Sequence, residues 1–277
     1  MKTGLILEGG AMRGMFTCGV LDVLMEHGIA FDGAAGISAG AVFGCNYKSR
    51  QIGRALRYNT RFCRDWRYCS LRSLITTGDL YGADFCYREI PDVLDPFDRD
   101  AFRANPMEFW VGATDVHSGR AIYHRCTNGG AEDMLWLRAS ASMPLVSRAV
   151  EVEGHQLLDG GIVDAVPYRM MMDRGYDRNV IVLTQPKEYR KQPASRMMAV
   201  AMKKHPKIAE ALSVRHEMYN RQMDELDAMK DALILRPPQA LGIRRTEKNP
   251  SELERVYRIG ITVAENALTD VTRFLNR

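Results

Sequence analysis

Between residues 1 and 50 the chain states one pattern twice: a short apolar run, a turn of small residues, then apolar side chains at helical spacing. The first copy is Gly4-Leu5-Ile6-Leu7, closed by Glu8-Gly9-Gly10 and followed by a stripe of Phe16, Val20, Leu21, Val23 and Leu24 that Gly28 ends. The second is "IAFDGAAGIS", which closes at Ser38 and leads into "AGAVFGCNY". Strand, glycine turn and helix in repetition predict a parallel sheet with crossover helices, because parallel strands must be joined over a face of the sheet. Both glycine turns then emerge at the carboxyl ends of their strands, on one rim.

The rest of the chain adds strands to such a sheet. Residues 51–106 are irregular and rich in Arg, Tyr and Asp, and are expected to form helices and loops over one end of the sheet, without a catalytic role. Residues 108–115 and 120–124 read as strands joined by "VHSG", "AVEVEGHQLLDGG" as a hairpin around Glu153-Gly154, and "NVIVLTQP" at 179–186 as a buried strand. After Pro186 the texture changes. Residues 196–231 read as charged helix, "ALILRPP" as a strand stopped by prolines, and Pro250 onward as a helix with Leu253, Val256, Ile259, Val263 and Leu268 on one face. The expected organisation is a core over 1–185 and a mostly helical, basic segment over 186–277 packed on or beside it.

A chain of 277 residues with 46% hydrophobic content can bury one large core. No run approaches the roughly 20 apolar residues of a spanning helix, and glycines interrupt the N-terminus too early for a secretory segment. The expected location is cytoplasmic, peripheral at most at the inner face of a membrane. Cys18, Cys45, Cys63, Cys69, Cys86 and Cys126 show no C-x-x-C spacing, so reduced structural thiols are expected. His124 and Cys126 are two ligands without further partners, and neither a metal nor a cofactor is expected. From residue 186 onward 18 basic residues face 12 acidic ones. Lys187, Arg190, Lys191, Arg196, Lys203, Lys204 and Lys207 against Glu188 form a candidate contact with an anionic membrane surface; an ordinary solvated helix is the equal alternative, and no nucleic acid is expected.

Ser38 lies between Gly36 and Gly40 in Gly-x-Ser-x-Gly. Taken alone, a serine at such a turn is more often a helix cap than a nucleophile. Acyl transfer needs a nucleophile, a base and donors aimed at a developing oxyanion. A serine on a sharp strand-to-helix turn meets the first need. "EGGAMRG" suggests the donors, with Gly9, Gly10 and Ala11 presenting backbone N–H groups, Arg13 adding positive charge and Gly14 flanking the turn. Asp159 in "LLDGG", followed by Gly160 and Gly161, is the candidate base, although Asp-Gly-Gly alone reads as a turn. A carboxylate in that role needs burial to raise its proton affinity.

Two other readings compete. In an α/β-hydrolase several strands precede the nucleophile and a histidine completes a triad, whereas one strand and one helix precede Ser38. His117, His124, His155, His205 and His216 follow it, none in a turn of small residues. Dinucleotide binding is suggested by Gly9, Ala11 and Gly14 with Asp32 further on, but alanine replaces the central glycine and Asp32 precedes the second apolar run.

"GGAMRG", "GISAG" and "DGG" in that order, with "ATDVHSG" at 113–119 and "ASASMP" at 139–144, resemble the patatin-like phospholipase family of serine acyl hydrolases, over roughly residues 4–185. The resemblance implies a three-layer α/β/α fold with a mainly parallel central sheet. It implies a dyad of Ser38 as nucleophile and Asp159 as general base, with backbone amides of Gly10 and Ala11, supported by Gly9 and Arg13, as the oxyanion hole. It implies a lipid acyl ester substrate and phospholipase A or lysophospholipase-like hydrolysis. Glu8 stands where the family commonly has aspartate, and Ala165 where it commonly has asparagine, a change expected to loosen the loop behind Asp159. Sixteen methionines and the "FWV" and "MPLV" segments are candidate linings for an acyl pocket. The non-enzymatic alternative is a lipid or membrane-surface binding module using residues 187–207.

Overall fold

The computed structural model of the chain describes residues 1–195 and 202–276. Its centre is a mixed sheet. Strands β1 (Lys2–Leu7), β2 (Gly33–Ile37), β3 (Glu108–Asp115), β4 (Ala121–Cys126), β5 (Val150–Val152), β6 (His155–Asp159), β7 (Tyr176–Val182) and β8 (Ala232–Leu235) pair in the order β5-β6-β3-β2-β1-β7-β8, with β4 also on β3. The β3-β2-β1-β7-β8 pairings are parallel, and the β3–β4, β3–β6 and β5–β6 pairings antiparallel. The sheet therefore continues past residue 185, with Leu233 of β8 opposite Val180.

Alternation along the strands sorts side chains into two layers. Leu5, Leu7, Ala34, Val180 and Val182 face a core shared with α1 (Met15–Glu26), α2 (Ala39–Lys48), α3 (Arg54–Phe62) and the C-terminal helix. Ile6, Ala35, Ile181 and Leu183 point the other way, onto Met170 and Met171 of a short helix at Tyr168–Asp173 and onto Tyr219, Met223 and Leu226 of a helix at Pro206–Ala228. The result is a three-layer α/β/α fold with a helical C-terminal segment.

Numbered in chain order, the remaining helices are α4 (Leu71–Thr77), α5 (Arg99–Ala104), α6 (Ala131–Ser140), α7 (Tyr168–Asp173), α8 (Pro206–Ala228) and α9 (Pro250–Leu275). A π-helical stretch at Phe85–Leu94 contains Pro91, whose missing N–H suits it to an irregular turn. Helices α1 and α9 cross with backbones nearly touching. A Cβ at Gly19 would lie 2.1 Å from the Tyr257 carbonyl oxygen, and one at Gly260 2.0 Å from that of Phe16. The apolar stripe expected on α9 is present at Leu253 and Val256, but its closest contact runs through Gly260 and Ala264.

Candidate active site

Ser38 occupies the turn from β2 into α2 at φ 53° and ψ −122°, a conformation that costs a non-glycine residue about 1–3 kcal/mol. The neighbours enforce it. A Cβ at Gly36 would meet the Gly40 carbonyl oxygen at 2.5 Å, and one at Gly40 the Leu7 carbonyl oxygen at 2.3 Å, so α2 starts directly against the end of β1. Ser38 stands at the N-cap position, yet its side chain accepts no capping bond. Its backbone N–H donates instead to the Ser140 hydroxyl (2.8 Å), which donates to the Gly112 carbonyl (2.6 Å). Ser140 is fully buried and fastens the turn to β3. The "ASASMP" segment contained it without any local mark of that task.

Asp159 ends β6, opposite Ala113, one position along β3 from Gly112, which faces Ile37. Strands β2 and β6 share the edge of β3 that β4 leaves free, and this brings residues 38 and 159 together. Asp159 is 7% exposed. Burial pushes its pKa up; a hydrogen bond from the Ser38 side chain, the charge of Arg215 and the Gly161 N–H act against that rise. The Gly161 N–H donates to Asp159 Oδ1 at 2.8 Å, and Arg215 Nε donates to the Gly161 carbonyl at 2.6 Å. Gly160 packs against the Gly112 carbonyl.

The loop after β1 lies beside Ser38. A Cβ on Gly9 would stand 2.9 Å from that of Ser38, and Gly10 abuts Thr184. Ala11 also has a positive φ, 49°, and opens a short 3-10 turn, Ala11–Gly14, whose first N–H groups have no partner within the turn. Gly14 packs on Phe43. Glu8 is buried, accepting from the Thr184 N–H (2.6 Å) and hydroxyl (3.0 Å) and from the Tyr219 hydroxyl (2.7 Å). Its length lets it tie the ends of β1 and β7 to α8. The loop carrying Ala165 is held by Asp164, whose Oδ1 accepts from Gln222 Nε2 at 2.7 Å and whose Oδ2 takes the Tyr123 hydroxyl.

Two cavities meet at Ser38. One is a narrow channel of about 100 Å³ lined by Met12, Val42, Phe43, Tyr87, Ile90, Met134 and Leu137, among others. Arg54 in its wall is neutralised by Asp95 at 3.4 Å and bonds Asn46 at 2.9 Å. The segment 51–106, expected only to cap the sheet, thus supplies Tyr58, Tyr87 and Ile90 to this wall. The other is a chamber of about 360 Å³ that reaches Gly9, Gly10, Ala11, Asp159 and Gly161. Of "MPLV", expected to line an acyl pocket, only Met143 borders the channel; Met143, Pro144, Leu145 and Val146 border the chamber. "FWV" lines neither. Phe109 and Val111 are core residues of a central strand, and Trp110 stacks under Arg174 at 4.4 Å.

Lys191 borders the chamber, where burial and the charge of Arg215 push its pKa down to about 7. Elsewhere in 187–207, Arg190 pairs with Asp224 and Lys207 with Glu210, each at 2.9 Å, and Arg196 lies outside the described residues. Neither cavity is lined by a histidine. His155 meets Asp115 at 3.3 Å, and His124 meets Asp133 at 3.1 Å while stacking on Trp136. Asp32 accepts from the Thr3 N–H at 2.7 Å, at the end of the strand remote from the glycine turn, where it has no part in a dinucleotide site. His124, Cys126 and Asp133 have potential ligand atoms within 4.8 Å of one another. Asp133 already accepts the N–H groups of residues 127, 128 and 129, which makes it a loop anchor. Among the described residues all six thiols are free, and no helix is long and apolar enough to cross a membrane.

The chain is 29% identical over 183 residues to lysophospholipase nte1 of Aspergillus niger and 28% identical over 180 residues to lysophospholipase NTE1 of Mycosarcoma maydis. The matches cover 64% and 63% of this chain and 11% and 9% of those proteins, so the chain spans about a tenth of their length. The structure of VipD from Legionella pneumophila is similar with a TM-score of 0.45 at 12% identity, covering 96% of this chain and 67% of that one. Residues 205–276 match a domain of unknown function, DUF6363. The family model described as patatin-like phospholipase matches residues 5–172, more than half of the sequence, and the chain belongs to that family.

Proposed function

We propose that the protein hydrolyses lipid acyl esters through an acyl-enzyme on Ser38, with Asp159 as its base. The observation that carries this reading is the uncapped, strained Ser38 placed against a buried carboxylate whose proton affinity is raised. Attack of Ser38 Oγ on the ester carbonyl forms the new C–O bond while Asp159 takes the hydroxyl proton. The developing oxyanion is met by the Gly10 and Ala11 N–H groups, with Gly9 giving close approach and Arg13 adding positive charge. Collapse of the intermediate breaks the bond to the alcohol, which leaves with the proton from Asp159. Water then gives a proton to Asp159 as it attacks the acyl carbon, and Ser38 is released with its proton restored. No metal or cofactor enters these steps.

The apolar channel suits an acyl chain, and the two fungal relatives are named lysophospholipases, so a lysophospholipid is the substrate class we assign. Leu71 and Ile75 stand exposed on α4, at 72% and 85%, and give an apolar contact for a lipid surface.

The purified protein should hydrolyse a p-nitrophenyl acyl ester and be labelled by a fluorophosphonate, and Ser38→Ala should lose both. Labelling that persists in the variant would overturn the assignment.

A further inference from the structure

The chamber beside Ser38 is built with more positive charge than the hydrolytic steps use, since of its four basic residues those steps call on Arg13 alone. Arg13 comes from the turn after β1, Lys191 from the segment after β7, Arg215 from α8 and Arg245 from the loop before α9, and all four line it. Among the described residues none of the four forms an ion pair. The Nε of Arg13 is buried without a hydrogen-bond partner, and Lys191 Nζ lies 4.0 Å from the centre of the Tyr219 ring. Of the acids lining the chamber, Glu8 is committed to Thr184 and Tyr219, and Asp159 faces Ser38.

The cations also feel one another. Burial and the charge of Arg245 hold the Arg13 guanidinium below its ordinary range against the opposing charge of Glu8, and burial, Arg245 and Arg13 do the same to Arg215 against that of Asp159. Gathering more cations than acids in a partly desolvated space is unfavourable unless an anion enters with them. Guanidinium groups match the paired oxygens of a phosphate in geometry as well as charge.

We infer that this chamber is a head-group subsite for a phosphate of net negative charge, so that the substrate is an ester whose alcohol portion bears a phosphate and no balancing cation. The inference rests on the reading of Ser38 and Asp159 as an acyl hydrolase and adds which alcohol side is selected. The arrangement supports it: the channel takes the acyl chain from one side of Ser38 and the cations lie on the other, so an ester spanning both puts its carbonyl at the serine. Three of the four cations lie beyond residue 186, which gives the C-terminal segment a part in specificity.

The test compares lysophosphatidylglycerol with lysophosphatidylcholine of the same acyl chain, both in one neutral detergent micelle. The wild-type protein and Arg245→Gln are each assayed, with circular dichroism to verify folding and Lys191→Gln as a second variant. The expected result is a kcat/KM at least tenfold higher for the anionic lipid, falling toward parity in both variants. Equal rates on the two lipids in the wild-type protein would overturn the head-group subsite. Inorganic phosphate separates the two sources of the same chemistry: if it changes p-nitrophenyl ester turnover in the wild type but not in Arg245→Gln, while the lipids are not distinguished, the chamber binds free phosphate and the head-group assignment fails. Loss of the hydrolase reading has a different signature, the absence of any Ser38-dependent turnover or labelling on the neutral ester.

Discussion

Ile37 and Asp159 lie side by side along one edge of β3, opposite Gly112 and Ala113 respectively. The first belongs to a parallel strand and the second to an antiparallel hairpin, so their chains arrive from opposite directions and Ser38 meets Asp159 across a single step of the ladder. The proposed dyad is set by sheet register, and a register is specified by every buried side chain along the strands.

Loss of the base is the first prediction. Asp159→Asn keeps the side-chain volume and the acceptor for the Gly161 N–H but cannot take a proton. Turnover of a p-nitrophenyl ester should fall by about a thousandfold or more with little change in melting temperature. In the wild-type protein, turnover should fall as pH drops through the raised pKa of Asp159, because only its ionised form is a base. An acid limb within the ordinary aspartate range, near about pH 3.9, would contradict the burial argument.

Ser140→Ala should damage the site without touching substrate. It leaves the Ser38 N–H and the Gly112 carbonyl without the bridging hydroxyl, an expected loss of about 1–3 kcal/mol for each unmet buried group. Urea denaturation should report the stability loss, and kcat should fall more than KM changes, because the elbow is no longer pinned to β3.

Gly40→Ala should be far worse than Gly53→Ala. The new methyl at 40 meets the Leu7 carbonyl at 2.3 Å, so α2 must move away from β1 and carry Ser38 with it. At 53 nothing lies within 4 Å, and only the positive φ of 72° is penalised, by about 1–2 kcal/mol. Activity and melting temperature of the two variants, measured in parallel, separate these effects.

Asp22 supplies a pH test of stability. It is buried and accepts from the Tyr257 hydroxyl (2.8 Å) and the Gly53 N–H (3.0 Å), yet burial raises its pKa from 3.8 to about 6. A carboxyl with a raised folded pKa binds its proton more tightly when folded, so its contribution is full below pH 3.8 and is lost as pH rises through about 6. The shift corresponds to about 2–3 kcal/mol. Asp22→Asn can keep both acceptor contacts and should gain stability relative to the wild type across that window. A constant difference between the two proteins from pH 4 to 7 would show that the group does not titrate there.

What the sequence disclosed was what local turn chemistry records. Glycines around Ser38 and after Asp159, the Glu153-Gly154 hairpin and the run in β7 each carry their own signal within a few residues. Residues 51–106 hid the channel wall, because Tyr58, Tyr87 and Ile90 come from helices of mixed pattern and one turn interrupted by Pro91. Lys191 counted as one more surface charge until the fold turned it into the chamber. Arg215 and Arg245 gave no signal, since nothing adjacent to them marks an approach to the glycine turn after β1. Gly260 was missed because a helix that packs by backbone contact advertises an absence of side chain, which hydrophobic spacing does not count.

Ser38 sits in the wall between an oily compartment and a charged one, and this imposes an order of events on the proposed reaction. When the ester bond breaks, the two fragments stand on opposite sides of the serine, one solvated by hydrocarbon and the other by cations. The acyl group stays tethered on the apolar side, while the alcohol occupies the side that the cations line. Departure of the alcohol therefore makes room for the second nucleophile, and a tightly held head group would slow deacylation as well as favour binding.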